Sequence, residues 1–423
     1  MSEMRQENSQ NNDGFTTTFF SALYCFMTYS YVYGQMKLGW MKDYPAHVYN
    51  ILSLFRGDSP WEGWMAAPHC LWHLTVLFLF EVCRIPMEAA AAFATCLYAL
   101  FYYYVLYWVI RRFTDHIGQK VTALRGNVIT FSFCFVQALY FYWLDTGGQY
   151  LGVFSPNPLH NPTQMGVRGF ALLTFCLAVD LLSYENDRTY RPVFFHVERA
   201  TRKRYVLLAV LLFLSTLMKP TFAETFIPAV ALFMLGTWIS RLIRRDAPAW
   251  YFKKCLVMLL CALPSLLYML TQFLVFFWFG GGYGSEGGLV FTKWLEVWKL
   301  FSDNVFLSIL LGMAFPVYIL LLDARFFCKS TAGRLALISY GVAFLEAAIL
   351  GEDGSRFSHG NFLWPLMSGM LLLWLTALLH LMALEHTEGR TRLKQGLLHF
   401  GWFLFFCHLF CGLAFYRAEM LGL

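Results

Sequence analysis

Long apolar runs alternate with short polar segments along almost the whole chain. A helix needs about 20 apolar residues to cross the hydrocarbon core of a bilayer, so each such run predicts a membrane-spanning helix. The runs of about this length lie at 15–36, 87–110, 127–144, 165–184, 254–278, 303–322, 334–350, 362–384 and 397–416. The pattern predicts an all-α fold, a polytopic transmembrane helical bundle.

Two shorter apolar runs, 205–218 and 226–242, flank Lys219 and Pro220. Arg-rich segments precede the first run and follow the second. The pair therefore predicts a short helical hairpin whose tip carries Lys219, Pro220 and Glu224. Non-helical backbone at membrane depth persists only where protein or a water-filled cavity surrounds it, so this tip is a candidate wall of a site. With the hairpin, the length rule predicts about 11 membrane helices.

The basic residues predict the orientation of the bundle. Clusters of Lys and Arg lie at 111–125, 188–204, 241–254, 325–334 and 390–394. Cytoplasmic loops carry an excess of Lys and Arg, so a cytoplasmic N-terminus places every cluster inside. This topology requires residues 66–85 to form a juxtamembrane helix on the outer side instead of crossing. Residues 1–14 are predicted to be a disordered cytoplasmic N-terminus, and 15–423 a single transmembrane domain.

The composition supports a membrane protein and excludes other classes. Apolar residues make up 58% of the chain and charged residues 14%, against about 45–50% and about 25% in soluble domains. A water-soluble enzyme, a disordered chain and a nucleic-acid-binding protein are therefore excluded. The eleven cysteines are scattered without a Cys-x-x-Cys pair. They are interpreted as small buried hydrophobes, so neither a disulfide nor a metal site is predicted from them.

Polar residues of mixed type gather in the predicted outer loops, at 42–73, 145–168, 280–298 and 352–364. The interfacial aromatic belt accounts for many of the Trp and Tyr side chains there. Ionisable residues beside membrane spans usually have a partner or a task, because a charge at the centre of a membrane helix costs roughly 2.5–3.5 kcal/mol. The outer loops are therefore predicted to build a site.

Asp43 follows the first predicted span directly and is the candidate catalytic residue. A carboxylate at the membrane surface can accept a proton from a hydroxyl group while a second substrate stays in the lipid. The alternative is an ordinary solvated loop acid, with Asp58 and Glu62 as substitutes for the catalytic role.

Histidines and an asparagine in the outer loops are further candidates. His69 and His73 are spaced i, i+4 and share one helix face, but the Glu of the zinc-protease pattern is missing. A pair of interfacial histidines bonded to loop backbone is the alternative. His160-Asn161-Pro-Thr predicts a helix start capped by Asn161 or Thr163, which leaves His160 able to face a cavity.

Arg356, His359 and Asn361 share one short outer loop. The planar guanidinium of Arg356 suits phosphate, and the histidine adds a donor. The alternative is a solvated turn in which Arg356 pairs with Asp353 or Glu352.

Lys219 lies at membrane depth, where a lysine without a task is uncommon. Its alternative is a structural ion pair with Glu224. Glu346 lies inside a predicted span and likewise requires a partner.

The order of these motifs resembles the GT-C class of polytopic glycosyltransferases. The matching residues are Asp43-Tyr-Pro-Ala-His47, the stretch Ala67-Pro-His-Cys-Leu-Trp-His-Leu74 and Lys219-Pro-Thr-Phe222. The resemblance covers roughly residues 15–240 as the catalytic module, with 254–423 as variable C-terminal helices. It implies inverting, single-displacement transfer of a sugar from a polyprenyl-phosphate donor to an acceptor hydroxyl on the extracytoplasmic face, with Asp43 as the catalytic base.

The candidate substrate-binding residues are His47, His69, His73, His160, Asn161, Lys219, Glu224, Arg356, His359 and Asn361. Many members of the class carry two adjacent acids in the first loop, whereas Tyr44 follows Asp43 here. No cofactor is therefore assigned, and dependence on a divalent metal stays open.

The expected partners are the lipid-linked donor, an unidentified hydroxyl acceptor and membrane lipid, without nucleic acid, in a bacterial plasma membrane. A transporter or flippase for a lipid-linked or small polar substrate is the alternative. It would use Lys219, Glu224 and Glu346 as pathway groups. An O-antigen-ligase-like or polymerase-like enzyme is a third interpretation.

Overall fold

The computed structural model is nearly all helical, with 80% of its residues in helices. It describes residues 2–38, 43–57, 60–141, 152–197, 201–246, 249–275, 288–387 and 391–421. The prediction of an all-α architecture is confirmed. Two three-residue strands, β1 (Leu289–Phe291) and β2 (Leu350–Glu352), pair antiparallel with Leu289 opposite Glu352.

The helices divide into long ones and short ones. The long helices are α1 (Ser2–Leu38), α6 (Met87–His116), α7 (Ala123–Phe135), α8 (Pro162–Asn186), α9 (Thr201–Met218), α10 (Thr221–Ile243), α11 (Ala249–Phe273), α12 (Val305–Leu322), α14 (Thr331–Ile349), α15 (Pro365–His386) and α16 (Arg392–Leu421). The short helices are α2 (Asp43–Pro45), α3 (Leu52–Phe55), α4 (Pro60–Ala66), α5 (Leu71–Leu77) and α13 (Ala324–Lys329). Helical turns of other pitch cover Ala46–Ile51, Phe78–Val82, Trp298–Leu300, Gly354–His359 and Asn361–Leu363.

Within the described part of the chain, eight helices are long and apolar enough to cross a membrane. They are α6, α8, α10, α11, α12, α14, α15 with its preceding turns, and α16. This set is compatible with an integral multi-pass membrane protein. Helices α8 and α15 form the centre of the bundle, because 94% of the apolar window of each is buried, against 61% or less in the other six.

Residues 66–85 contain no helix of spanning length. Helix α5 and the turn that continues it to Val82 form one short apolar helix, Leu71–Val82. At 1.5 Å per residue, a helix of this length covers about 18 Å, well under the hydrocarbon thickness. This length agrees with the expectation that residues 66–85 do not cross the membrane. The predicted span 15–36 lies within α1, which is not among the eight helices.

The predicted span 127–144 is not one helix, because α7 ends at Phe135. Val136 is extended, and the following backbone bonds to other helices: Gln137 N donates to His408 O at 3.1 Å, and Leu139 N donates to Leu311 O at 3.0 Å. Interhelical hydrogen bonds thus satisfy this irregular backbone, as burial away from water requires.

The hairpin and the N-terminus also differ in detail from the sequence pattern. Helix α10 is 23 residues long, so it reaches spanning length by itself. The break before it lies at Lys219 and Pro220, because the residue before a proline is pushed out of the helical region. Residues 2–14, expected to be disordered, form the beginning of α1.

Glycines on α16 provide a test of helix packing. A Cβ atom on Gly412 would overlap the carbonyl oxygen of Phe135, whereas a Cβ atom on Gly396 would meet nothing within 4 Å. Gly412→Ala should lower the free energy of unfolding by about 1–3 kcal/mol, because backbone atoms have to move. Gly396→Ala should leave it unchanged or raise it by up to about 1 kcal/mol. Thermal unfolding of both variants in detergent measures the difference, and equal midpoints would contradict the packing at Phe135.

Candidate functional site

Asp43 opens the short helix α2, and 36% of its side chain is exposed. The neighbouring Tyr44 is fully buried and donates its hydroxyl proton to Leu159 O at 3.2 Å. This bond ties the turn to the segment before α8. The Oδ2 atom of Asp43 accepts a hydrogen bond from Asn161 Nδ2 at 2.9 Å. Among the described residues, Asp43 Oδ1 has no hydrogen-bond or ion-pair partner, so one carboxylate oxygen can face a substrate.

Asn161 caps α8 and at the same time joins the candidate residues. Its Oδ1 atom accepts from Gln164 N at 2.8 Å and from Thr163 Oγ1 at 2.9 Å. The same oxygen accepts from Lys219 Nζ at 3.2 Å. The predicted cap is present, and Asn161 also connects a carboxylate to a lysine, 118 and 58 residues away along the chain.

Lys219 is buried, with 9% of the residue exposed, and its ammonium group lies 4.4 Å from the centre of the Trp364 ring. Gly166 allows the approach, because a Cβ atom there would come within 2.5 Å of Met218 Sδ, immediately before the lysine. Burial lowers the pKa of Lys219 to about 8, against the opposing field of Asp43 and Glu224.

The alternative ion pair of Lys219 with Glu224 is absent: among the described residues, no contact within 4.0 Å joins the two. Glu224 lies in the first turn of α10 and acts on the lysine through its field alone.

His160 lies against the same aromatic ring. Its imidazole stacks on Trp364 with ring centres 5.2 Å apart, and its Nε2 atom is 3.8 Å from Asp43 Oδ2. Trp364 therefore contacts both His160 and Lys219 from the far end of the chain. Sequence reasoning attributed the outer tryptophans to the aromatic belt. The position of Trp364 in the loop with Arg356 and His359 was the available signal.

Three further candidate histidines lie close together between α2 and α5. His47 Nδ1 and His73 Nε2 are 2.9 Å apart, and His69 precedes His73 by one turn with ring centres 6.5 Å apart. Burial lowers the pKa of His47 and of His69 well below 6.5, and the charge of Lys219 adds to this shift. These imidazoles are therefore neutral hydrogen-bonding groups at neutral pH. In the ranges that the structure describes, no three His, Cys, Asp or Glu residues form a group that could hold a metal ion.

Arg356 and Asn361 converge on Glu352. Arg356 Nη2 lies 2.9 Å from Glu352 Oε1, and Asn361 Nδ2 donates to Glu352 Oε2 at 2.5 Å. Glu352 is only 5% exposed, so its buried charge requires these partners. The guanidinium expected to bind phosphate thus forms the ion pair that sequence reasoning gave as the alternative. His359 is exposed in the same loop.

The remaining acidic candidates do not join this group. Glu62 is exposed on α4, and Asp58 lies outside the described residues. The structure therefore brings together Asp43, Asn161 and Lys219, with His160 and Trp364 beside them. We call this group the Asp43–Lys219 site.

Comparisons with known proteins add no relative. No family model, no curated protein and no solved structure matches this chain. The chemistry of the site must therefore be argued from its geometry.

Asn161 both caps α8 and bonds to Asp43 and Lys219, so its removal should lower the free energy of unfolding more than the removal of an ordinary helix cap. Asn304 caps α12 in the same way, accepting from Leu307 N at 3.1 Å, but lies outside the Asp43–Lys219 site. Asn304→Ala should cost about 0.5–2 kcal/mol of unfolding free energy, the usual value of a cap. Asn161→Ala should cost more, because it also removes the amide hydrogen bonds to Asp43 and Lys219. Equal losses in thermal unfolding would show that the contacts to Asp43 and Lys219 add nothing.

Proposed function

We propose that this protein is a membrane glycosyltransferase of the GT-C type that transfers a sugar from a polyprenyl-phosphate donor to an acceptor hydroxyl on the extracytoplasmic face. One observation carries the proposal: a partly exposed carboxylate and a buried ammonium group are held on opposite ends of the same amide, that of Asn161. Such a transfer requires a base for the acceptor hydroxyl and a cation for the phosphate, and this site offers one group of each kind.

The base step belongs to Asp43. Its Oδ1 accepts the proton of the acceptor hydroxyl while Oδ2 stays bonded to Asn161. The acceptor oxygen then forms a bond to the anomeric carbon from the face opposite the phosphate. The bond between that carbon and the phosphate oxygen breaks, and its electron pair leaves with the polyprenyl phosphate. The configuration at the anomeric carbon is thereby inverted.

Lys219 stabilises the charge that develops on the departing phosphate. The ammonium group is buried, so its interaction with an anion is screened little by water. It takes the role that sequence reasoning gave first to Arg356. The neutral imidazoles of His47 and His69 offer donors and acceptors to sugar hydroxyls, and His160 lies beside the base. His73 is fully buried and bonds to His47.

An apolar groove supports a lipid-linked donor. It has a volume of about 300 Å³, lies between α9, α10 and α11, and is lined almost wholly by apolar side chains, among them Leu212, Phe226 and Met258. Its wall on α10 starts at Phe226, about 7.5 Å along the helix from Thr221 at 1.5 Å per residue, and Thr221 follows Lys219 by two residues. A phosphate at Lys219 would thus leave its polyprenyl tail next to a groove of matching polarity. A cytoplasmic N-terminus and a bacterial plasma membrane complete the proposal.

A transporter is the second candidate, and Glu346 favours it. This residue lies on α14, and its Oε2 atom is buried without a hydrogen-bond partner among the described residues. Intramembrane carboxyls of this kind mark transport pathways. Protein reconstituted in vesicles with a radiolabelled polyprenyl-phosphate hexose separates the two. A new glycosidic bond supports the transferase, and movement across the bilayer without one supports the transporter.

Asp43→Asn should lower turnover by roughly 100-fold or more, because a positioned base contributes about 10²–10⁴. Glu62→Gln is the matched control, since Glu62 is an exposed acid of the same outer region and should retain full activity. The measurement is sugar transfer in membranes, with a panel of polyprenyl-phosphate hexoses as donors. Wild-type transfer by Asp43→Asn would remove Asp43 from the base role.

The lowered pKa of Lys219 predicts the pH dependence of donor binding. Below about pH 8 the ammonium is charged, so affinity for the lipid phosphate should be constant. Above that pH the charge is lost, and kcat/KM for the donor should fall about tenfold per pH unit. Lys219→Ala should bind the donor weakly at every pH and lose this alkaline limb. An unchanged limb in that variant would assign the titration to another group.

A further inference from the structure

Three buried polar side chains meet directly beside the Asp43–Lys219 site, one from each of three helices. Thr221 Oγ1 of α10 donates to Gln164 Oε1 of α8 at 2.9 Å. Gln164 Nε2 donates to Ser368 Oγ of α15 at 3.4 Å, and the two hydroxyl oxygens are also 3.4 Å apart. Each of the three residues is at most 4% exposed. We call them the Gln164–Thr221–Ser368 cluster.

The cluster joins the two helix ends that carry residues of the Asp43–Lys219 site. Gln164 gives its backbone N–H to Asn161, and Thr221 follows Lys219 by two residues. The hydrogen bonds of the cluster therefore join the start of α8 to the start of α10. These are the two helix ends that carry Asn161 and Lys219.

Polar side chains fix the contact between the starts of α8 and α10 more specifically than apolar side chains would in a membrane. Apolar side chains between two membrane helices do not fix the position of one helix along the other, because lipid contacts them equally well. Buried hydroxyl and amide groups instead require their partners in place, since water is excluded. The start of α10 is thus held to the start of α8 at Thr221, two residues from the lysine.

We propose that Gln164, Thr221 and Ser368 are positioning residues that hold the ammonium group of Lys219 against Asn161 and so beside Asp43. The inference rests on the proposed function for its catalytic meaning, but the position of Lys219 is measurable without any sugar transfer. The competing account is that the cluster only stabilises helix packing.

The electrostatic surroundings of Lys219 provide the measurable quantity. Asp43 and Glu224 act on its charge from α2 and α10. His47 and His69 also face the lysine, and its charge helps to keep both imidazoles neutral. Burial outweighs the two carboxylates and keeps the pKa of Lys219 near 8. A lysine released from this position would reach water, and its pKa would rise toward the ordinary value of about 10.4.

Thr221→Val removes the hydroxyl at nearly constant shape and leaves Gln164 Oε1 without its donor. Thr225→Val is the matched control. Thr225 is fully buried one turn further along α10, and its hydroxyl bonds only to carbonyls of its own helix, with Phe222 O at 3.0 Å. Thr221→Ser keeps the hydroxyl and tests rescue.

The first measurement is the pH midpoint of Lys219 labelling by a small amine-reactive reagent, read by mass spectrometry on the full-length protein. The midpoint should be about 8 in the wild type, Thr225→Val and Thr221→Ser, and at least one pH unit higher in Thr221→Val. A wild-type midpoint in Thr221→Val would overturn the inference.

The second measurement is sugar transfer, which should fall at least tenfold in Thr221→Val while Thr225→Val and Thr221→Ser stay near wild type. A wild type without transfer would end the proposed function, and the labelling result would still decide the position of Lys219. A drop in activity with an unmoved labelling midpoint would support the packing account instead.

Ser368→Ala covers the case in which Thr221→Val does not fold. Its control is Thr376→Val on the same helix, since Thr376 is equally buried and bonds to Leu372 O of α15 at 2.8 Å. The midpoint should rise in Ser368→Ala and not in Thr376→Val.

Discussion

The site depends on the orientation of one amide group, that of Asn161. Its carbonyl oxygen accepts from the start of α8, from Thr163 and from Lys219, so the helix end and the lysine both require an oxygen on that side. The amide nitrogen must therefore point the other way, to Asp43, and a donor there requires the carboxylate to accept. The helix cap thus fixes which atom of the Asn161 amide faces Asp43.

A second polar arrangement in the core holds the segment that leads into this cap. Arg168, two turns further along α8, is 2% exposed; it donates to Asn157 Oδ1 at 2.5 Å and lies 4.2 Å from the centre of the Tyr102 ring. Asn157 donates in turn to the carbonyls of Phe133 and Val136, at the point where α7 ends. These bonds satisfy the carbonyls where α7 ends, as burial away from water requires. They also hold Asn157, four residues before Asn161, between the end of α7 and Arg168 of α8.

The local parts of this arrangement could be predicted from sequence, and the long-range parts could not. Asn161-Pro-Thr indicates a capped helix start, and Lys219-Pro indicates a break, because both signals act within a few residues. The contact of Asp43 with Asn161 joins positions 118 residues apart, and no local pattern encodes it. The end of α7 at Phe135 was missed for the same reason, since its apolar sequence continues and only the bonds to other helices show the break. From sequence, Arg356 could either bind a ligand or pair with an acid of its own loop. The structure has the ion pair with Glu352, which is buried and requires a partner for its charge.

The site contains Lys219 and not Arg356, so the loop at 352–364 contributes a different side chain from the one that the sequence predicted. Arg356 holds Glu352 with two N–H groups, a geometry that its planar fork suits, and so braces the loop instead of meeting a ligand. What the loop brings to the site is Trp364, whose ring meets the Lys219 ammonium and the His160 imidazole. An aromatic face attracts the lysine without neutralising it, whereas a carboxylate within contact would cancel its charge. The buried ammonium therefore keeps its charge available for an anionic ligand.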